Sequence, residues 1–395
     1  MKTLNGVKIA VGVTGGISAY KCAEVVSRLV KLGADVTVMM TESAKEFISP
    51  LTFGTLTKNK VITDMFSNTD YSRVEHIAVA AESDVFLICP ATANIIGKVA
   101  CGIADDFMST AILATKSPVI FAPAMNNNMY DNPILQDNIK KLKKYGYYFI
   151  EPGEGMLACG TSGKGRLPEY DEIVETVENI AYKNKDLSGK KVLITAGPTI
   201  EKIDPVRYIT NHSSGKMGYA IAKAAVLRGA DVTLVSGNVN IKPHNGIRVV
   251  KAESAMDMYN AVMSEYPQAD IIIKSAAVAD FRPDKVASGK IKKDDGMTLE
   301  LVANPDILKE IGKNKGNRIV VGFCMETSDL LENAEKKLKN KNLDFIVAND
   351  LSRDGAGFKC DTNIVTIIDK SGNKDSLEIM EKEEIAHIIL DKCIL

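Results

Sequence analysis

Apolar residues in this chain fall into short unbroken runs, separated by stretches with a helical repeat. Runs at 7–13, 35–40, 84–90 and 117–123, then at 191–196, 231–236, 270–276, 318–323 and 344–349, have the length of strands. Unbroken apolar character over so few residues marks strands covered on both faces, as in parallel sheets. Between them apolar positions recur at helical spacing over 18–31, 131–145, 170–182, 216–228, 254–265, 305–313, 328–341 and 381–393. Two shorter helical pieces fall within 44–57, and 363–374 predicts a terminal hairpin. The alternation predicts an α/β protein with two doubly wound, mainly parallel sheets.

The pattern also begins twice. Lys8-Ile9-Ala10-Val11-Gly12-Val13-Thr14-Gly15-Gly16 and Lys191-Val192-Leu193-Ile194-Thr195-Ala196-Gly197 share a strand-then-glycine form. Each is followed by a helical stretch ending in the same five residues, Gly33-Ala34-Asp35-Val36-Thr37 and Gly229-Ala230-Asp231-Val232-Thr233. Lys8 to Asp35 spans 27 positions and Lys191 to Asp231 spans 40, so the second copy carries about 13 more residues, placed in the loop 200–212. Loops after such strands are where ligands sit in this kind of fold. The polar stretch 183–189 separates the copies, giving expected domains 1–189 and 190–395, each long enough for its own core.

Charge changes this picture little. With 49 basic and 50 acidic residues the net charge is −1, which argues against a nucleic-acid or anionic-membrane surface. Seven scattered cysteines without a CxxC pair indicate neither a zinc site nor a disulfide framework, as expected of a cytoplasmic protein. No segment approaches the roughly 20 apolar residues of a membrane span.

In the first half, Thr14-Gly15-Gly16-Ile17-Ser18 at a strand-helix junction can offer N–H groups to a phosphate, and equally meets the needs of a tight turn. Its spacing is not that of a dinucleotide site. Pro123-Ala124-Met125-Asn126-Asn127-Asn128-Met129 follows a strand end, where asparagines can read a polar ligand or cap a helix. His76 begins a helix, and histidine is a side chain suited to acid–base work. Cys159 lies in a segment, 151–168, with five glycines and no apolar repeat, which predicts a mobile loop or lid.

Together these residues, with Cys89-Pro90-Ala91-Thr92-Ala93-Asn94 and Ala104-Asp105-Asp106, resemble the homo-oligomeric flavin-containing cysteine decarboxylases over residues 1 to about 185. The resemblance implies a flavodoxin-like domain with FMN held by Gly15, Gly16, Ser18, Thr41 and Ser109. In the implied mechanism FMN oxidises the substrate thiol to a thioaldehyde, the electron sink for loss of the carboxylate, and later returns the electrons. Cys159 is then the proton donor, His76 the base or orienter, Asn126 the carboxylate-binding amide, and Met125 a substrate contact. Where such proteins often carry tryptophan this chain has Tyr130, expected to be a packing surface.

In the second half, Ser214-Gly215-Lys216-Met217 is not a P-loop, because Thr210 replaces the first glycine and Met217 the final hydroxyl. The Gly-Lys pair is expected to open a helix. Lys274-Ser275-Ala276-Ala277-Val278-Ala279-Asp280 ends an apolar strand in small residues, leaving room for a planar group. The insertion 281–295 carries Lys285, Lys290, Lys292 and Lys293, while Lys337 and Lys341 sit four apart on a predicted helix. Such charge suits a triphosphate, though any one lysine suits a solvated surface.

The blocks 204–218, 275–281, 290–293, 304–307 and 348–350 together closely resemble phosphopantothenate–cysteine ligases, in a Rossmann-like domain. Both halves in this order resemble the bacterial bifunctional coenzyme A biosynthesis family. That family implies activation of 4'-phosphopantothenate by CTP to an acyl cytidylate, attack by cysteine, then decarboxylation to 4'-phosphopantetheine. It implies Asn211 assisting the attack, Arg207 on the substrate and Lys290 promoting cytidylate formation. Lys274, Ser275, Ala276, Asp280, Lys290, Pro305, Asp306, Ile307, Leu308, Phe323, Lys337 and Lys341 surround CTP, with Mg2+ on the triphosphate. A homo-oligomer, a dodecamer of decarboxylase trimers and ligase dimers, is the implied assembly. Competing readings are a decarboxylase of peptide-terminal cysteine, which needs no second domain, and a regulatory flavoprotein, against which His76, Asn126 and Cys159 in one chain weigh.

Overall fold

The structure, a computed structural model, describes residues 2–66, 74–156, 160, 162–293, 298–326, 330–350 and 360–394. It divides into two units, Lys2–Lys183 and Asn184–Leu395.

In the first unit the apolar runs become β1 (Lys8–Val13), β2 (Asp35–Met40), β3 (Val85–Ala91) and β4 (Val119–Pro123), joined at the edge by β5 (Tyr148–Phe149). All pair in parallel, in the order β2-β1-β3-β4-β5. This is the flavodoxin-like order, and its direction reverses between β1 and β3. Every residue of β3 is buried, as its unbroken apolar run demands. One face is covered by the helices Cys22–Lys31 and Tyr170–Ala181, the other by Ala93–Cys101, Phe107–Ala114 and Pro133–Lys144. The first of these buries Cys22, Val25, Val26 and Leu29, three to four residues apart. Each large aliphatic side chain so buried contributes about 1.5–3 kcal/mol.

The segment expected to be a structureless loop forms an antiparallel hairpin, β6 (Gly153–Met156) with β7 (Ser162–Arg166). Its pairing uses backbone groups and its glycines adopt conformations closed to other residues, φ +141° at Gly155 and +148° at Gly165. A strand of that kind has no side-chain alternation to betray it.

The second unit repeats the plan with a longer sheet. Its strands up to residue 350 are β8 (Lys191–Ala196), β9 (Ile200–Lys202), β10 (Tyr208–Thr210), β11 (Asp231–Ser236), β12 (Ile247–Lys251), β13 (Ile271–Lys274), β14 (Phe281–Pro283), β15 (Leu301–Ala303), β16 (Ile319–Glu326) and β17 (Phe345–Asp350). The main sheet runs β12-β11-β8-β13-β16-β17 in parallel, then turns antiparallel through Val365–Asp369 and Lys374–Ser376. Counted within the unit, its parallel part has the 3-2-1-4-5-6 order of the Rossmann fold, with the reversal between β8 and β13. The helix Lys216–Leu227 packs against β8 through Gly218, where a Cβ would stand 2.5 Å from the Ala196 Cβ.

The extra residues of the second copy form a β9/β10 hairpin, not an open loop. β12 is an edge strand with no buried residue, which explains why no apolar run announced it. Among the described residues no helix is long and apolar enough to cross a membrane.

Candidate active sites

The first crevice opens outside the carboxyl ends of β1 and β3. Buried Thr14 ties the strand ends together: its Oγ1 donates to the Pro90 carbonyl at 2.7 Å and accepts from the Thr92 N–H at 3.2 Å. A Cβ on Gly15 would stand 2.3 Å from the Ser43 Cβ, so this turn accepts only glycine. Gly16 opens the short 3-10 helix Ile17–Lys21, which contains Ser18 and has no side-chain cap.

Two cavities meet here. One, of about 680 Å³, is lined by Gly15, Thr41, Ser43, Asn94, Lys98 and Phe107, among others. The other, of about 420 Å³, is lined by Gly16, Ser18, Met125, Asn126 and Arg166, and shares Gly15, Thr92 and Met129 with the first.

Thr41 caps the helix Glu42–Lys45, yet its Oγ1 is buried with no partner among the described residues. A hydroxyl buried unpaired costs about 1–3 kcal/mol, which a polar ligand in the cavity would offset. Ser109 does not line either cavity. It closes a capping box, its N–H donating to Asp106 Oδ1 at 2.8 Å and its Oγ accepting from the Asp106 N–H at 3.2 Å. Burial alone would raise the Asp106 pKa, but the Lys98 ammonium at 2.8 Å and the Ser109 donors hold the carboxyl below its usual range. Ser43 and Lys98 were not singled out from the sequence, and Thr14 only as the first residue of the 14–18 turn. Only contact across the turn identifies them.

Met125 and Asn126 follow β4 and line the second cavity. Asn126 is both cap and cavity wall: its Oδ1 accepts from the Asn128 N–H at 2.9 Å at the start of Asn127–Tyr130. The Met125 N–H donates to the Gly165 carbonyl at 2.9 Å, which fastens β7 to this strand end. A Cβ at Gly165 would lie 2.2 Å from the Met125 oxygen. Cys159 falls between β6 and β7 in sequence and lies outside the described residues. His76, on the helix Glu75–Glu82, stands edge-on to Phe107 with ring centroids 6.3 Å apart and lines neither of the two cavities. Tyr130 joins the core, and its hydroxyl donates to Glu151 at 3.2 Å. Burial first, then Glu151, pushes its pKa up to about 12.

The second crevice lies outside β8 and β13. The Thr195 carbonyl and Oγ1 accept from the N–H groups of Ser275 at 3.2 Å and Ala276 at 3.1 Å. The Thr199 Oγ1 accepts from the Ala279 N–H at 3.0 Å, and the Asp280 carbonyl accepts from the Asn304 N–H at 2.8 Å. Gly215 caps the helix Lys216–Leu227 at φ +77°, and a Cβ there would meet Val239 at 2.8 Å. The Gly-Lys pair opens the helix, as the failed P-loop spacing implied.

Across the crevice, Asp306 caps the helix Ile307–Lys313, accepting from the Lys309 N–H at 3.1 Å, and pairs with Lys341 at 2.7 Å. The turn from Pro305 to Leu308 therefore faces cations. Lys337 Nζ donates to the Phe323 carbonyl at 2.9 Å. The helix carrying Lys337 ends at Asn340, so Lys341 lies just past it and not on its face. Lys274 has its pKa pushed down to about 8, by burial first and then by Lys337 and Lys341, against the pull of Asp306 and Asp280. Lys341 and Lys274 thus act on one carboxylate, Asp306, while Lys337 acts on Lys274.

Arg207 and Asn211 flank β10. Asn211 Nδ2 donates to the Val278 carbonyl at 3.2 Å. Arg207 Nη1 donates to Asp204 Oδ2 and to the Ile291 carbonyl, both at 3.1 Å. Lys290 is exposed beside that contact.

Comparison with known proteins places both halves of the chain in one family. A flavoprotein family model matches residues 1–181, and the model described as the DNA/pantothenate metabolism flavoprotein C-terminal domain matches 187–394. The coenzyme A biosynthesis bifunctional protein CoaBC of Bacillus subtilis (strain 168) is 51% identical over 393 residues, covering 98% of this chain and 97% of its own. The chain belongs to the bifunctional coenzyme A biosynthesis family. A second relative, named as a cysteine/cysteine sulfinic acid decarboxylase from an unknown prokaryotic organism, is 47% identical over 354 residues, 88% of this chain and 99% of that one. Among solved structures, the C-terminal domain of a CoaBC protein is 45% identical, covers 54% of this chain and 97% of that one, and has a TM-score of 0.47. The flavoprotein match falls in the first unit and the other match in the second, in a chain whose family carries both ligase and decarboxylase activities.

Proposed function

We propose that the second half joins cysteine to 4'-phosphopantothenate using CTP, and that the first half decarboxylates the product to 4'-phosphopantetheine using FMN. The end-to-end match to a bifunctional relative, in a chain with two switch-point crevices, carries this reading.

A carboxylate is a poor acyl donor because hydroxide leaves poorly, so it must first become a mixed anhydride. The substrate carboxylate attacks the α-phosphorus of CTP, releasing pyrophosphate and leaving an acyl cytidylate. Lys274, Lys337 and Lys341 hold the triphosphate beside the Pro305–Leu308 turn, with Mg2+ accompanying the phosphate oxygens. Ser275, Ala276, Asp280 and Phe323 surround the nucleoside. Lys290 supports the charge that develops at phosphorus, and Arg207 binds the acyl substrate. The cysteine amine then attacks the acyl carbon, CMP leaves, and the Asn211 amide assists.

In the first half, Gly15, Gly16, Ser18 and Thr41 would hold FMN, with Ser109 fixing the Asp106 turn behind them. The clash-limited glycine and unpartnered Thr41 hydroxyl fit such a ligand. When bound, FMN supplies the oxidation of the substrate thiol that lets the carboxylate depart, and returns the electrons afterwards. Asn126, whose Oδ1 is committed to Asn128, offers its Nδ2 to the carboxylate, with Met125 beside it. His76, carried beside Phe107 on the helix Glu75–Glu82, is the base or orienter of this half. Cys159 returns a proton, since a thiol of pKa about 8.5 is mostly protonated at neutral pH. We place this chemistry in the cytoplasm, in a homo-oligomer of decarboxylase trimers and ligase dimers, which a native mass measurement tests.

The likeness to a cysteine/cysteine sulfinic acid decarboxylase favours one second reading, direct decarboxylation of free cysteine. Mass analysis after supplying cysteine alone separates the two, since the proposed function predicts no cysteamine. A purified protein without bound flavin would remove the decarboxylase half of the proposal.

A further inference from the structure

The β9/β10 hairpin is tied to the basic insertion through a single carboxylate. Asp204 is 1% exposed and sits in the turn joining the two strands. Its Oδ1 accepts from the N–H groups of Val206 and Arg207, both at 2.7 Å. Its Oδ2 accepts from Arg207 Nη1 at 3.1 Å and from the Ile291 N–H at 3.2 Å. One oxygen therefore shapes the local turn, and the other faces the segment that carries Lys290.

Ile291 is held at both ends, its N–H by Asp204 and its carbonyl by Arg207 Nη1 at 3.1 Å. A third link follows at Ala287, whose N–H donates to the Ile203 carbonyl at 3.0 Å. Lys290 thus stands between two anchored positions. Its own side chain is exposed, so its placement depends on the backbone that these contacts fix. Burial would raise the Asp204 pKa, but the N–H groups of Val206, Arg207 and Ile291 with the Arg207 charge hold it below the usual carboxylate range. It stays anionic at neutral pH, as an acceptor-only group for four donors must.

We infer that Asp204 is a positioning residue for acyl activation: it sets the Arg207 guanidinium and the Lys290 segment in one register, so that substrate and developing phosphate charge are met together. The inference rests on the ligase reading proposed above, and it adds a residue for which no role in the reaction was assigned from the sequence.

Asp204→Asn makes the test selective. The amide oxygen retains the two turn contacts at Oδ1, while an NH2 in place of Oδ2 opposes the Ile291 N–H and the guanidinium. Displacements near 1 Å at such a site cost on the order of a hundredfold in rate. We expect kcat for CTP-dependent pyrophosphate release to fall about tenfold to a hundredfold, and KM for 4'-phosphopantothenate to rise. Hydrogen exchange should quicken at the amides of 287 and 291 but not at those of 206 and 207. Unchanged exchange protection across β8, β11 and β13 is the folding control, since Asp204 lies in the second unit. If Asp204→Asn does not fold, replacing Ile291 with its α-hydroxy acid analogue deletes the same N–H from the other side, with the same kinetic expectation. Unchanged kcat and KM despite faster exchange would overturn the inference. Absence of CTP-dependent pyrophosphate release in the unaltered protein would instead overturn the ligase reading.

Discussion

Lys274 is an amine whose charge depends on its company. Its pKa of about 8 reflects burial and the nearby charges of Lys337 and Lys341. A bound phosphate reverses those terms and favours the ammonium. Nucleotide binding therefore takes up a proton in the interval from about 8 to the ordinary 10.5, and affinity falls as pH rises through it. Titration calorimetry in buffers of different ionisation enthalpy should show this uptake in the unaltered protein and lose it in Lys274→Arg, whose guanidinium keeps its charge. An identical pH slope in both proteins would place the nucleotide elsewhere. Asn211→Asp removes the amide donor and adds a negative charge beside the acyl group, so mass analysis should find acyl cytidylate accumulating. Blocked pyrophosphate release in that variant would instead assign Asn211 to the first step. Cys159→Ser should accumulate a decarboxylated product lacking a pair of hydrogens, because its proton donor is gone.

At the scale of elements, the β6/β7 hairpin is the part most sensitive to one methyl group. Gly165→Ala combines a left-handed backbone at φ +148° with a Cβ 2.2 Å from the Met125 oxygen, so the hairpin must leave the strand end. Decarboxylation should fall at least tenfold while flavin absorbance and ligase kinetics hold, given about 1–3 kcal/mol for such strain. The same hairpin marks the limit of what the sequence disclosed. The strands buried on both faces and the helices with a clear repeat were legible, because such burial writes an apolar run and a helical face writes a repeat, whereas Ala93–Cys101 and Phe107–Ala114 were given no bounds. β6, β7, β9, β10 and β12 carry no such signature, since glycine pairing or edge exposure leaves side chains unpatterned. The site divides likewise. Gly15 and Gly215 announced their turns, whereas Thr14, Lys98 and Asp204 act through partners distant in sequence, such as Pro90 and Ile291.

At the scale of the whole molecule, the duplicated strand-glycine opening led to two different sheets. The five-stranded order of the first unit and the 3-2-1-4-5-6 order of the second each reverse once and leave one crevice there. The first crevice offers small residues, a hydroxyl with no partner among the described residues and an asparagine, and the second a group of lysines with a clamped arginine. The product of the ligase half is the substrate of the decarboxylase half, so the two reactions form a sequence. The most direct measurement follows carbon dioxide released from carboxyl-labelled cysteine while CTP and 4'-phosphopantothenate are withheld in turn. The account predicts release only when both are present with Mg2+, with 4'-phosphopantetheine appearing by mass. Release from cysteine without either would contradict it.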